Sequence, residues 1–375
     1  MENIKIQKID MKVLVTGSNG FIGKNLVAHI NQKNNFSVLY FERGDSLTEV
    51  IPQADFIFHL AGENRPEDSK DFEINNAIFT KSLCILVKES NKHIPIVFAS
   101  SIQAGLDNPY GKSKLSAEVS LEKLAEETGN PVHIYRLPNV FGKWCKPNYN
   151  SVVSTFCYNI ANDLPIEIND KSSLLKLVHI DYVVADFLRV LDSDFKGFLK
   201  TEIKPQYETT LGKLARQIYS FKESRNNLII EDVGIGLVRD LYSTYVSFLE
   251  PSKFSYDLPL YRDHRGVFVE MLKTFNSGQF SYFTAHPGIT RGGHYHHTKT
   301  EKFLVIKGDA RFRFKHIISN ESYEVFSSGH TPQVVETIPG WSHDITNIGN
   351  YEMIVMLWAN EIYNRDFPDT ITYEV

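Results

Sequence analysis

Apolar residues fall along this chain in two rhythms. Through the first two-thirds, short runs rich in Val, Ile and aromatic residues recur: KVLVT, SVLYF, FIFHL, IVFAS and VHIYR. Between them stand longer stretches with helical spacing, among them DFEINNAIFTKSLCILVKES and YGKSKLSAEVSLEKLAEETG. Alternation of strand and helix predicts a parallel α/β sheet, doubly wound in the Rossmann manner, with helices on both faces. After about residue 255 the spacing shortens to VFVEML, SYFTAH, KFLVIKG, ARFRFKH, ESYEVF and EMIVMLW, separated by Gly, Pro, Asn and Ser. That pattern predicts an all-β antiparallel sandwich or barrel. The expected division is residues 1–250 and 251–375, with the boundary near FLEPSKFSY.

Length agrees, since 375 residues exceed what one ordinary core organises. A net charge of −5 without Lys/Arg blocks argues against nucleic acid or an anionic membrane as partner. The opening MENIKIQKIDMK lacks the apolar core of a signal peptide, and no run of about 18 apolar residues predicts a membrane span. Cys84, Cys145 and Cys157 show no CxxC pairing and are expected to be reduced, buried thiols of a cytoplasmic protein.

Two stretches change the picture from fold to chemistry. TGSNGFIG sets Gly17, Gly20 and Gly23 between a strand and a helix, where backbone N–H groups at a helix N-terminus can meet a pyrophosphate. The next strand ends in Glu42 and Arg43. The acid would hold a ribose 2′-hydroxyl and the arginine would accept a 2′-phosphate, and a solvated surface pair is the other reading. Arg43 is the reason to expect NADP(H). In ASSIQAGLDNPYGKSK, Tyr110 and Lys114 lie four apart on one helical face, downstream of Ser101 at a strand end. These residues suit hydride transfer at a carbonyl. Tyr110 exchanges the proton, Ser101 orients the oxygen, and the Lys114 ammonium is expected to draw the phenol towards neutrality and to reach the nicotinamide ribose.

VTGSNGFIG, HLAG, SSIQ, YGKSK and RLPNVFG together resemble the extended short-chain dehydrogenase/reductase family over about residues 11 to 245. The resemblance implies a cofactor site at Gly17, Gly20, Phe21, Ile22, Gly23, Leu60, Ala61 and Gly62, with Tyr110 and Lys114 shared by cofactor and chemistry. It also implies that Asn139, Asn148 and Tyr149 lie near a nucleotide sugar. One departure narrows the activity. Dehydratases of this family carry Asp and Glu after the Ser/Thr position, whereas Ile102 and Gln103 stand here and neither does acid–base work.

The second stretch is GGHYHHTKTEKFLVIKG. On a strand His294 and His296 share a face while His297 points away, and Glu301 follows a polar turn. The spacing, completed by Gly308, resembles the first motif of the cupin (jelly-roll) family, and PGWSHDITN resembles its second, adding His343 and Asn347. The metal ligands expected are His294, His296, Glu301 and His343, a set that suits Zn²⁺ ahead of other divalent ions. YRDHRGVFVEMLKT further resembles the first strand of deoxysugar epimerases that act on 4-keto sugars. His297, Lys302 and Tyr282 are candidates for the proton-transfer base, with a zinc-bound hydroxide as another.

The whole chain resembles the CapF type of two-domain capsular-polysaccharide enzymes, in stretches such as VFGKWCKPNYNSV, HPGITRGGHYHHTKTEKFLV and PDTITYEV. The resemblance implies a cytoplasmic homodimer acting on a UDP-linked 4-keto amino-deoxy sugar, by C3 epimerisation at the cupin and then C4 reduction with NADPH. Two other readings stand beside it: a reductase with a non-catalytic cupin, and an NADP(H)-binding redox regulator. Regulators commonly lose the Tyr/Lys pair, which this chain keeps.

Overall fold

The computed structural model describes residues 10–42, 44–258, 261–263, 266–268, 272–274, 278–361 and 366–375. Arg43 and much of YRDHRGVFVEMLKT lie outside the described residues. The chain forms two compact units, one running to Val140 and taking in Lys176–Glu208, the other comprising Phe141–Leu175 and Thr209–Val375.

In the first unit, β1 (Met11–Thr16), α1 (Phe21–Ile30), β2 (Phe36–Phe41), β3 (Phe56–His59), α2 (Phe79–Glu89), β4 (Ile96–Ser101), α3 (Pro109–Thr128) and β5 (Val132–Leu137) follow one another. In the second unit comes α4 (Val152–Ala161); α5 (Ile180–Leu191) and β6 (Phe198–Thr201) then complete the first. The sheet is parallel in the order β2-β1-β3-β4-β5-β6. Val13, Val15, Phe58 and Val97 face a core shared with α1 and α5, while Leu14, Ile57, Ile96 and Phe98 face one shared with α2 and α3. Burial on both faces is why these strands read as unbroken apolar runs. The strand order reverses between β1 and β3, which places the ligand crevice of such a sheet at their carboxyl ends.

The second unit continues with α6 (Leu211–Asn227), α7 (Gly236–Val246), β7 (Ser255–Asp257), β8 (Gln279–Ala285), β9 (Thr290–Tyr295), β10 (Glu301–Lys307), β11 (Asp309–His316), β12 (Ser322–Ser328), β13 (Gln333–Glu336), β14 (Trp341–Asn347), β15 (Met353–Ala359) and β16 (Ile371–Thr372). Its two five-stranded sheets run β7-β13-β10-β15-β8 and β12-β11-β14-β9-β16. The all-β expectation holds for these strands.

The compact units do not follow a single cut at residue 250, because α4, α6 and α7 belong with the β sheets. Charge explains part of this. Glu336 on β13 is buried and meets Arg225 of α6, Lys302 of β10 and, at 3.2 Å, the Tyr242 hydroxyl of α7. Apolar periodicity carries no mark of such a polar clamp.

Candidate active site and metal centre

At the crevice, Gly17 has φ +74°, and a Cβ there would stand 2.8 Å from the Ala61 backbone. A Cβ on Gly23 would stand 2.2 Å from the Gly17 carbonyl oxygen. Glycine at these two positions lets the β1–α1 loop lie against Leu60–Gly62 and lets the helix start immediately. The N-cap, Gly20, has no side chain, so the first N–H groups of α1 remain available to an anion. His59 anchors this junction. The Thr16 hydroxyl accepts the Leu60 and Ala61 N–H groups at 3.2 Å and donates to His59 Nδ1 at 2.8 Å. His59 Nε2–H then donates to Thr80 Oγ1 at 2.8 Å. Burial, reinforced by the Lys114 charge, lowers the imidazole to about 3, so it is neutral.

Ser101 ends β4 and its Oγ accepts the Gln103 N–H at 3.1 Å, opening a short 3₁₀ turn. Asn108 caps α3 by accepting the Gly111 N–H at 2.8 Å, with Pro109 in the first turn. A Cβ on Gly111 would stand 2.2 Å from the Gln103 carbonyl oxygen, so glycine brings the helix start against the turn. The result sets the Ser101 hydroxyl near enough to the Tyr110 phenol to act on its acidity.

Burial raises the Tyr110 phenol and the Ser101 contact opposes that rise. The expected pull of Lys114 on the phenol is not found. Lys114 Nζ instead donates to the Ala99 carbonyl at 3.1 Å, above the Phe98 ring. Its own acidity is the perturbed one: burial lowers it to about 8, against an upward pull from Glu118.

Glu118 is a functional candidate that the motif search missed. It lies four residues beyond Lys114 on α3 and is 1% exposed. Its carboxylate accepts the Ser100 hydroxyl at 2.5 Å, Arg136 through two N–H groups at 2.9 and 2.7 Å, and Lys200 at 3.1 Å. The YxxxKxxxE spacing could have flagged it. Asn76 was also missed. It sits in a π-helical segment, Glu73–Ile78, accepts the Glu63 N–H at 2.7 Å and donates to Ser113 Oγ at 2.9 Å.

Asn139 belongs to the first unit, where its amide donates to the Lys176 carbonyl at 3.1 Å. Asn148 and Tyr149 belong to the second. Asn148 has φ +52°, and its N–H donates to Thr155 Oγ1 at 3.0 Å.

In the second unit the predicted ligands converge. One donor atom from each of His294, His296, Glu301 and His343 lies within 4.8 Å of the others. His294 and His343 come from one sheet, Glu301 from the other, and His296 follows directly on the end of β9. His294 stands opposite His343 across β9 and β14, after a register shift at Gly292. Gly292 has φ +103°, and the shift turns the histidine side chains inward.

His296 Nδ1–H donates to the Asp369 carbonyl at 2.6 Å, which leaves Nε2 facing Glu301 Oε2 at 3.2 Å. His343 Nε2 stands 3.4 Å from the same oxygen. Burial would raise the Glu301 carboxyl, but the two histidines hold it well below its ordinary value. Burial and the neighbouring imidazoles lower His294 to about 3. Three imidazoles converging on a carboxylate fit one divalent cation, with the His₃Glu donor set of zinc, iron or manganese centres.

Of the candidate bases, Lys302 is excluded. It follows Glu301 on the strand, so it points to the opposite face, where it is buried beside Glu336 and held protonated. Tyr282 is 72% exposed, and the His297 backbone N–H donates to Asp369 Oδ1 at 2.9 Å while its side chain is buried. Asn347 serves structure, since its amide bonds Ala285 and Tyr351 carbonyls at 2.9 and 2.8 Å.

Comparison with known proteins also divides the chain in two. Residues 13–199 match the NAD dependent epimerase/dehydratase family, and residues 261–371 match the polysaccharide biosynthesis C-terminal domain. A UDP-2-acetamido-2,6-beta-L-arabino-hexul-4-ose reductase of Pseudomonas aeruginosa is 54% identical over 97% of this chain and 99% of its own. The crystal structure of the capsular polysaccharide assembling protein CapF from Staphylococcus aureus covers 97% of this chain and 100% of its own at 41% identity, with a TM-score of 0.66. A Bacillus cereus UDP-glucuronic acid 4-epimerase bound to UDP-glucuronic acid and NAD shares the fold alone, at 17% identity over 56% of this chain and 83% of its own, with a TM-score of 0.51. By full-length likeness, the chain belongs to the family of the UDP-2-acetamido-2,6-beta-L-arabino-hexul-4-ose reductase, in which an epimerase/dehydratase domain is joined to a polysaccharide biosynthesis C-terminal domain.

Proposed function

We propose that the protein is a bifunctional nucleotide-sugar enzyme. It inverts C3 and then reduces C4 of UDP-2-acetamido-2,6-dideoxy-β-L-arabino-4-hexulose, giving UDP-N-acetyl-6-deoxy-L-talosamine for L-FucNAc of capsule or O-antigen. The reductase half rests on Tyr110 at the start of α3 beside Ser101 at the end of β4, with Lys114 one turn on. The epimerase half rests on the four convergent donors of the β sheets.

When bound, NADPH supplies a hydride and the metal, expected to be zinc, supplies Lewis acidity at the keto oxygen. Tyr110 holds the proton that the C4 oxygen takes up as its carbon is reduced, and solvent replaces that proton. Ser101 hydrogen-bonds the same oxygen and orients it. Lys114, anchored on the Ala99 carbonyl, is assigned to the nicotinamide ribose by the family likeness. Arg43 supports the choice of NADPH over NADH, and the family likeness supports a cytoplasmic homodimer. C3–H is acidic only while C4 is a ketone, so epimerisation precedes reduction.

A second reading keeps the reductase and gives the β domain no chemistry. One observation favours it: Lys302, a candidate base, is committed to Glu336. NMR of the product formed in D₂O separates the two. Deuterium at C3 with the talo configuration at C4 supports the bifunctional reading, reduction without deuterium supports the second, and no NADPH oxidation overturns both.

A further inference from the structure

Residues 369–373 make a set of bonds to the metal-ligand strands that no catalytic step uses. The Asp369 carbonyl accepts His296 Nδ1–H at 2.6 Å. The Asp369 carboxylate accepts the N–H groups of His297, Thr298 and Lys299 at 2.9, 2.8 and 2.8 Å, and the Thr298 hydroxyl at 3.1 Å. Those three residues form the turn between the ligands His296 and Glu301. Thr370 Oγ1 accepts Lys299 Nζ at 2.7 Å. In β16, Thr372 pairs with His294. The Tyr373 N–H donates to the Gly293 carbonyl at 2.9 Å, and the Tyr373 carbonyl accepts the hydroxyl of Ser342, the neighbour of His343, at 2.7 Å.

Each strand or turn that carries a ligand is therefore tied to the same five residues. A histidine whose Nδ1–H is committed to a carbonyl presents only Nε2 to a metal, in a fixed ring orientation. A carboxylate that takes three successive N–H groups fixes the backbone of the turn as well, and with it the separation of His296 from Glu301.

We propose that Asp369 is the positioning residue of the metal centre. Its carbonyl sets the tautomer and orientation of His296, its carboxylate sets the His296–Glu301 turn, and the segment to Tyr373 clasps the strands of His294 and His343. The proposal rests on the metal reading given above.

The test uses the full chain and zinc alone, without substrate. Zinc affinity is measured by competition with a chromophoric chelator, and the d–d absorption of the cobalt(II)-loaded protein reports coordination geometry. Asp369→Ala is expected to weaken zinc about 10- to 100-fold, the range for lost outer-shell partners, and to alter the cobalt spectrum while NADPH affinity stays unchanged. Asp369→Asn keeps one acceptor oxygen and is expected to fall between Asp369→Ala and the parent. It also carries the test if the alanine variant fails to fold. Parental zinc affinity and an unchanged cobalt spectrum in both variants overturn the proposal alone. Absence of zinc uptake by the parent protein overturns the metal reading and the proposal with it.

Discussion

Glu118 Oε1 accepts the Ser100 hydroxyl at 2.5 Å, which ties a buried carboxylate one turn beyond Lys114 to the residue preceding Ser101. The end of β4 that carries Ser101 is thus tied to the helix that carries Tyr110 and Lys114. Burial lowers Lys114 to about 8, and Glu118 is what keeps it from falling further. A lysine is charged below its pKa, so NADPH oxidation should decline as pH rises through about 8. Glu118→Gln removes the supporting charge and should move that limb to lower pH. An unmoved limb would show that Glu118 acts only on structure.

Tyr110→Phe should cost about 10²- to 10⁴-fold in the rate of NADPH oxidation, the usual loss for a positioned acid, with NADPH binding retained. Turnover at the parental rate, followed at the NADPH absorbance band, would sink the assignment.

His294→Ala combined with His296→Ala should release the metal and stop solvent deuterium from entering C3. Tyr110→Phe should leave that exchange running without net reduction. Undiminished exchange in the metal-free protein would mean that the metal is structural and the base lies elsewhere.

Gly111→Ala places a methyl group 2.2 Å from the Gln103 carbonyl oxygen, which is backbone and cannot swing away. Overpacking of this kind costs about 1–3 kcal/mol, and here it displaces the start of α3 from the Ser101 turn. Loss of NADPH oxidation should exceed what the drop in Tm accounts for. Parental kinetics would show that the turn accommodates a methyl group.

Glu336→Gln should strongly destabilise the second unit, by about 3–5 kcal/mol, because two buried cations lose their partner. The pH dependence has a definite sign. Burial acts to raise this carboxyl, but Arg225 and Lys302 bring it below its ordinary value. Its stabilising contribution is therefore complete above the unfolded pKa of about 4.3 and is lost as pH falls through the lower folded value. Denaturant unfolding of parent and variant across the acid range checks this; the gap between them should narrow on acidification.

Much of this was legible in the sequence because it is written in local spacing. β1 to β5 were visible as apolar runs, and Tyr110 with Lys114, or His294 with His296, share a face by helix or strand periodicity alone. Glu118 and Asp369 were not, since their roles depend on strands and turns distant in sequence: Arg136 and Lys200 for one, His296 to Lys299 for the other. The electrostatics of Tyr110 were misread for a related reason. Spacing puts Lys114 on the same helical face, but burial acts on the phenol and sends the ammonium to the Ala99 carbonyl. The compact units divide differently from the expected cut near residue 250, because α4 precedes α5 and β6 in sequence while belonging to the other compact unit.

That interleaving has a consequence for dissection of the protein. The backbone passes between the two compact units at Val140–Phe141, Leu175–Lys176 and Glu208–Thr209. No one stop codon or protease site frees either unit whole: a fragment ending at Glu208 keeps α4 without α6 and α7, and the remainder lacks α4. Swapping one compact unit for that of a relative therefore requires two separate segments exchanged together, and simple gene fission cannot part the two units of this chain.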